Sequence, residues 1–374
     1  MAYIFIFLTT LSFIFLLEKV LKSVKLKTNL KLIVSIILGS VCIFIPCFFA
    51  GIRDSKVGID VEMYLVPAII NAKNKDFSSF LHSYNNDYGF YLLIYVLSKF
   101  NSTYFLSSFI LQFLSIFPVF LIAIKYKDKI SITVVFFVYL FLFYNFSLCL
   151  IRQIVACSFS LLGFVCLYEK KYLKYIICCI IAFLFHNTSL IFNTLVLVFM
   201  LFTKKKLIAT SLIIISSFIL LFFSEFIIEV LLKSNIIDID YYDRFVERIG
   251  DGKISIGELI VKLLISFITV MPLFLSGSRD KLIYCKNEFS ALVSLPVFIS
   301  LFGINFIILN SFSTYFYRIG IYFNYFTILC VPAVLYIVKN KKLFLFSCLS
   351  LIMVNWVYII LMNNYFGTLP YLFS

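Results

Sequence analysis

Arginine stands alone in apolar surroundings at three separated points of this chain. Arg53 lies in Gly51-Ile-Arg-Asp-Ser-Lys-Val-Gly-Ile-Asp60, Arg152 in Leu150-Ile-Arg-Gln-Ile-Val-Ala156, and Arg318 in Tyr315-Phe-Tyr-Arg-Ile-Gly-Ile-Tyr322. One of only two histidines, His186, sits in another apolar stretch. A guanidinium keeps its charge and offers a planar, bidentate set of donors, so inward-facing arginines suit a phosphate or pyrophosphate. A neutral imidazole beside them can take a proton or orient a hydroxyl. Plainer readings exist for each residue. An arginine near a helix end can snorkel to the headgroups, and a lone histidine at a helix end often does no more than complete a hydrogen-bond network. Snorkelling fits Arg152 and Arg318 less well, because apolar residues follow each at once and neither has an acidic neighbour in sequence.

The carboxylates that could serve these groups gather in the 51–103 segment: Asp54, Asp60, Glu62, Asp76 and Asp87. They read either as a base beside an anion site or as simple ion-pair partners of Arg53, which contribute little if exposed. Asp60-Val-Glu62 and Asp238-Ile-Asp240 have an acidic-x-acidic form that can hold a divalent ion, but so short a pattern arises often by chance. The reading assigns no metal and no cofactor. The 229–257 segment carries Tyr241, Tyr242, Asp243, Arg244, Glu247 and Arg248, and reads as an amphipathic helix whose side chains suit sugars or an ordinary surface.

The elements that must position these residues follow from composition. The chain is 63% hydrophobic with 47 Phe, and only 13% of it is charged, roughly half of what a water-soluble surface needs. Lipid is therefore the solvent for most of it. Spans are expected near 3–17, 32–50, 104–124, 130–149, 152–168, 174–186, 188–202, 207–228, 258–277, 289–309, 318–338 and 343–362. The fold class is thus an all-α polytopic membrane protein of about 12 helices, read as one membrane domain over 1–374 with outer loops at 51–103 and 229–257. The 174–202 stretch reads as two short helices meeting at His186–Asn187 or as one long kinked helix. The apolar run Tyr88-Gly-Phe-Tyr-Leu-Leu-Ile-Tyr-Val-Leu97 is half a span long and suits a re-entrant or surface-lying helix near 88–100. No basic leader or small-residue cleavage site accompanies 3–17, so it reads as the first span. The ten cysteines lie mostly in apolar runs without metal-binding spacing and read as small apolar residues.

Orientation follows from the lysines. The connections 18–31, 125–129, 169–174, 204–206, 279–288 and 339–342 hold 20 of the 32 basic residues and 5 of the 18 acidic ones, a net +15. The rest of the chain holds 12 basic and 13 acidic residues, a net −1. The positive-inside rule puts the basic set in the cytoplasm and both termini outside. Arg53, Arg152, His186 and Arg318 then share the outer level. The overall +14 comes from short turns and forms no continuous stripe, which argues against nucleic acid as a partner.

The pieces in order carry a resemblance. Gly51-Ile-Arg53, Gly58-Ile-Asp60 with Tyr64, Asp87-Tyr-Gly-Phe, Arg152-Gln153-x-x-Ala156, His186-Asn-x-Ser189, Arg318-x-x-x-Tyr322 and the closing Leu369-Pro-Tyr371 resemble the EpsG-like polysaccharide polymerases, of the Wzy type that builds bacterial O-antigen and capsule. Asp87 stands where glutamate is more usual. The resemblance implies a glycosyltransferase at the periplasmic face of the bacterial inner membrane. It would join oligosaccharide repeat units carried on undecaprenyl pyrophosphate, with a chain-length regulator and a flippase as pathway partners. It also implies roles. Arg152 and Arg318 would stabilise the leaving pyrophosphate, and Arg53 would hold the second lipid. Asp60, and after it His186, would be the base. Tyr64, Asp87, Gln153, Tyr322, Arg244 and Arg248 would contact or orient sugar.

Three other activities compete. A flippase of lipid-linked sugars would use the same arginines, but transporters often show an internal repeat and this chain shows none. An O-acyltransferase would favour an early catalytic histidine, and the first 80 residues contain none. An O-antigen ligase shares the lipid donor and is separated from a polymerase here only by the family pattern.

Overall fold

The computed structural model describes residues 1–23, 28–101, 103–202, 314–335 and 340–373, with isolated positions between 260 and 306 and at 338. These residues are helical, with no named strand among them. In chain order the helices are α1 (Ala2–Lys22), α2 (Thr28–Ile52), α3 (Val66–Asn74, entered through a π-helical turn Val61–Leu65), α4 (Phe77–His82), α5 (Tyr88–Leu97), α6 (Thr103–Lys125), α7 (Ile132–Cys149), α8 (Ile151–Tyr168), α9 (Tyr172–Phe185), α10 (Ser189–Phe202), α11 (Thr314–Asn324), α12 (Thr327–Leu335) and α13 (Lys341–Trp356), the last running on as a π-helix over Val357–Met362.

Seven helical segments among the described residues are long and apolar enough to cross a membrane: Ala2–Lys22, Thr28–Ile52, Thr103–Lys125, Ile132–Cys149, Ile151–Tyr168, Phe316–Leu335 and Lys341–Met362. The expected spans 174–186 and 188–202 appear as helices of 14 residues each, α9 and α10. The chain breaks between them at His186, which is extended at φ −159° and ψ 113°. That resolves the two-helix alternative over the single kinked helix. The expected span 207–228 lies outside the described residues, as does most of 258–277 and 289–309. The half-length helix expected near 88–100 is α5, ten residues long.

The chain divides into two compact units. The first comprises Met1–Leu190, Val331–Tyr336 and Ile352–Ser374. In it α7 and α8 are the central helices, with 78% and 83% of their apolar windows buried, against 33% for α1 and 28% for α2. The outward faces of α1 and α2 expose Phe5, Leu8, Leu32, Ile33, Ile36 and Ile37, a surface only lipid would solvate. α6 packs against α2 and α8, and the short α5 packs against α3, α6 and α9.

Polar side chains lock this unit at both ends. Glu18 of α1 accepts hydrogen bonds from the Thr133 backbone N–H (2.8 Å), the Thr133 hydroxyl (2.7 Å) and the Ser131 hydroxyl (2.9 Å), so one helix caps the N-terminus of another. Between α6 and α7, Gln112 donates to Tyr139 (2.9 Å) and accepts from Ser147 (2.8 Å), a buried network of the kind that joins helices in lipid. At the other end the C-terminal segment closes over the bundle. Tyr3 donates to the Thr368 carbonyl (2.7 Å), Asn145 to the Thr368 hydroxyl (3.1 Å) and Trp356 to the Asn145 side chain (2.9 Å).

The second unit comprises Ile191–Cys330 and Ile337–Leu351. Its described core is aromatic: Phe192 packs on Tyr322, Phe323 and Phe326 with ring centroids 4.9–5.5 Å apart.

Candidate functional site

Three helix ends of the first unit bring acid, base and guanidinium together. The N-terminus of α5 supplies Asp87, the first turn of α8 supplies Arg152, and the end of α9 supplies His186. Arg152 Nη1 donates to Asp87 Oδ2 at 2.8 Å, with side-chain exposures of 9% and 4%. The backbone N–H of Asn187 donates to the other oxygen, Asp87 Oδ1, at 3.2 Å. His186 Nδ1 stands 3.5 Å from Asp87 Oδ2, and neither imidazole nitrogen has a hydrogen-bond partner among the described residues. The Arg152 guanidinium lies over the Tyr64 ring at 4.0 Å and beside Phe90 at 5.5 Å.

Local sequence explains the convergence. Asp87 occupies the left-handed region (φ 53°, ψ 38°), which aspartate tolerates better than most residues. It occupies the N-cap position of α5 without capping it through its side chain, and gives its oxygens to Arg152 and Asn187 instead. Gly89 lets α5 touch α9 backbone to backbone, since a Cβ there would stand 2.7 Å from Leu184 Cβ and 3.0 Å from the Leu184 carbonyl oxygen. That close approach carries Asp87 to His186. Arg152 sits near the positive end of α8, where a cation is disfavoured, and the Asp87 carboxylate offsets it.

A second cluster surrounds Arg53. Arg53 is 1% exposed, and its Nε and Nη1 have no hydrogen-bond partner among the described residues. Tyr3, Tyr144 and Tyr371 lie within its electrostatic reach, and each of their hydroxyls donates to a backbone carbonyl. Burial and the neighbouring Tyr3 push the Tyr371 hydroxyl upward, and Arg53 pulls it back. Asp60 is buried and, like Arg53, within electrostatic reach of Cys149 at the end of α7. Gly58 (φ +99°) holds this loop against α7, because a Cβ there would meet the Leu148 carbonyl oxygen at 2.5 Å. The Gly58 N–H donates to the Gly367 carbonyl (2.9 Å) and the Asp54 N–H to the Leu372 carbonyl (2.9 Å), so the C-terminal segment straps the loop down.

The expected residues are therefore distributed unevenly. Arg152, His186, Asp87 and Tyr64 meet in one cluster, with Gln153 buried beside Arg152 in α8. Arg53 and Asp60 belong to the second cluster. Arg318 (half-buried) and Tyr322 (buried, stacked on Phe192) lie on α11 in the second unit. Arg244 and Arg248 lie outside the described residues, as do Asp238 and Asp240. Arg152, isolated from acids in sequence, meets one in space, Asp87 from 65 residues earlier. Asp60 is buried while Glu62 faces outward, so the acidic-x-acidic pair is split between two environments. Phe90 and the Asn187 backbone were missed. Their signals were the aromatic after Asp87-Tyr-Gly and the residue following His186.

These features define a polytopic helical membrane protein with a buried acid–imidazole–guanidinium site at the ends of three helices. The chain belongs to the EpsG family, whose model matches residues 36–373, and so stands among membrane proteins of polysaccharide biosynthesis. No curated protein and no solved structure matches it.

Proposed function

We propose that this protein is a polysaccharide polymerase that transfers a growing glycan from a lipid pyrophosphate carrier to the terminal sugar of a new lipid-linked repeat unit. The observation that carries this reading is the buried contact of Asp87 with both Arg152 and His186. In the reaction the bond from sugar C1 to the pyrophosphate oxygen breaks, and the acceptor hydroxyl oxygen bonds to C1. The hydroxyl proton passes to His186 Nε2, and lipid pyrophosphate departs with the bonding electrons. Asp87 Oδ2 faces Nδ1 from 3.5 Å, and on substrate binding that contact would tighten to orient the imidazole, as a carboxylate orients a catalytic histidine. A guanidinium has N–H donors beyond Nη1, and those of Arg152 meet the charge that grows on the leaving group. His186 is thereby favoured over Asp60 as the base, and Arg53 beside Asp60 is assigned to the second lipid-linked substrate.

Undecaprenyl pyrophosphate as the carrier, the O-antigen or capsule context, and the outer face of the bacterial inner membrane follow from the family resemblance and the +15 against −1 charge division. The test is deletion of the gene followed by electrophoresis of surface polysaccharide. A polymerase mutant retains a single repeat unit and loses the ladder. Loss of every repeat unit would favour a flippase or a ligase.

A further inference from the structure

We infer that the groove between α1, α2 and α6 binds an anionic phospholipid from the leaflet at the basic ends of these helices. The groove encloses about 640 Å³. Phe113, Phe117 and Phe120 of α6 form one wall, facing Leu17 of α1 and Ile36 of α2. Gly39 gives it depth, since a Cβ there would stand 2.9 Å from the Phe120 ring. Such walls show only that a hydrocarbon chain fits.

The polar groups select the lipid. Lys127 lines one end of the groove. Nearby cations are committed elsewhere: Lys22 pairs with Glu18 at 2.6 Å, and Lys125 and Lys171 both pair with Glu169. Lys127 has no carboxylate partner among the described residues. Ser35, also lining the groove, holds a buried hydroxyl with no partner among the described residues. A phosphate on Lys127 and a glycerol ester carbonyl on Ser35 would satisfy both, with one acyl chain along the phenylalanines. Length agrees. From its end at Lys125 back to Phe113, α6 rises about 18 Å at ~1.5 Å per residue, more than half of a hydrocarbon core about 30 Å thick.

The site is separate from the catalytic cluster. Arg152 opens α8, whereas Glu169 follows its other end and pairs with Lys125. The basic end of the groove, where the headgroup would sit, thus lies roughly 25 Å from Arg152 along a helix of 18 residues. The basic connections gather at the Lys127 end, where an anionic leaflet is expected.

The test uses the full chain reconstituted in phosphatidylcholine vesicles carrying a minor fraction of brominated phosphatidylglycerol or, in parallel, brominated phosphatidylcholine. Leu32, exposed and lining the groove mouth, is replaced as Leu32→Trp, with Ile36→Trp as an independent second reporter. The signal of the native Trp356, present in every sample, is subtracted. Brominated phosphatidylglycerol should quench the new indole about fivefold more effectively than brominated phosphatidylcholine, the preference that one lysine near a surface supports. Lys127→Gln should abolish the difference. Equal quenching by the two lipids would reduce the groove to ordinary boundary contact and overturn the proposal. So would a preference that survives Lys127→Gln, or displacement of the brominated lipid by a small fraction of undecaprenyl phosphate. None of these readouts requires polysaccharide synthesis, so the outcome is independent of the proposed activity.

Discussion

Asp87→Asn is the most informative perturbation. The carboxylate serves Arg152 Nη1 at 2.8 Å, the Asn187 N–H at 3.2 Å and His186 Nδ1 at 3.5 Å. Asparagine tolerates the same left-handed backbone, so strain is not introduced. What is lost is charge. With charge centres about 4 Å apart and an effective dielectric near 20, the attraction is about 4 kcal/mol. Removing one partner of so buried a pair leaves Arg152 as an uncompensated charge, and the expected destabilisation is about 3–5 kcal/mol. Asp87→Asn with Arg152→Gln removes both charges and leaves two neutral amides, one shorter than the arginine, so the part of that loss due to an uncompensated charge should return. Thermal unfolding of the purified protein in one detergent, followed by circular dichroism, gives the four corners of the cycle. The ladder of surface polysaccharide, read in cells at matched protein levels, should be lost in all three variants. A single mutant that melts with the parent would refute the buried-charge argument. A ladder restored by the double variant would refute the anion-binding role of Arg152.

Four further outcomes are expected. Arg152→Lys keeps the charge but loses the planar fork over Tyr64, and should reduce polymer output at least about tenfold without a matching change in melting temperature. Gly58→Ala should destabilise by about 1–3 kcal/mol, because φ +99° and the Leu148 carbonyl oxygen at 2.5 Å exclude a Cβ; size-exclusion profile and melting temperature read the effect. Trp356→Phe leaves Asn145 short of a buried partner and should cost about 1–3 kcal/mol in the same melting assay. Acid stability should depend on Glu169. Partial burial raises its carboxyl, but hydrogen bonds from Lys125, Lys171 and Tyr126 outweigh this and lower it from 4.5 to about 2. Its stabilising contribution is therefore complete above pH 4.5 and disappears as pH falls from there toward 2, and Glu169→Gln should flatten that limb of a melting-temperature profile.

Long apolar segments were readable because lipid leaves the backbone few choices, and α1, α2, α6, α7 and α8 lie where hydropathy put them. The break at His186–Asn187 was readable only as one of two alternatives, since 174–202 is too long for one untilted span and too short for two ordinary ones. Arginines isolated in apolar sequence draw notice by their desolvation cost, and Arg152 lies in the buried cluster with Asp87 and Tyr64. Its pairing was hidden. No sequence period links Asp87 to a helix 65 residues away, and the pairing depends on Gly89 letting α5 reach the end of α9. The strapping of Arg53 and Asp60 by residues 367–373 was hidden for the same reason. It consists of backbone hydrogen bonds, to which side-chain identity is nearly blind.

The central claim is that this site moves a glycan from lipid pyrophosphate to a sugar hydroxyl. Purified protein in vesicles, supplied with one lipid-linked repeat unit, tests it directly by following chain length and free lipid pyrophosphate together. Each new glycosidic linkage should release one lipid pyrophosphate, and His186→Ala should halt both while the purified variant still melts cooperatively. Transfer of intact lipid-linked units across the membrane with no new linkage, or unchanged synthesis by His186→Ala, would contradict it.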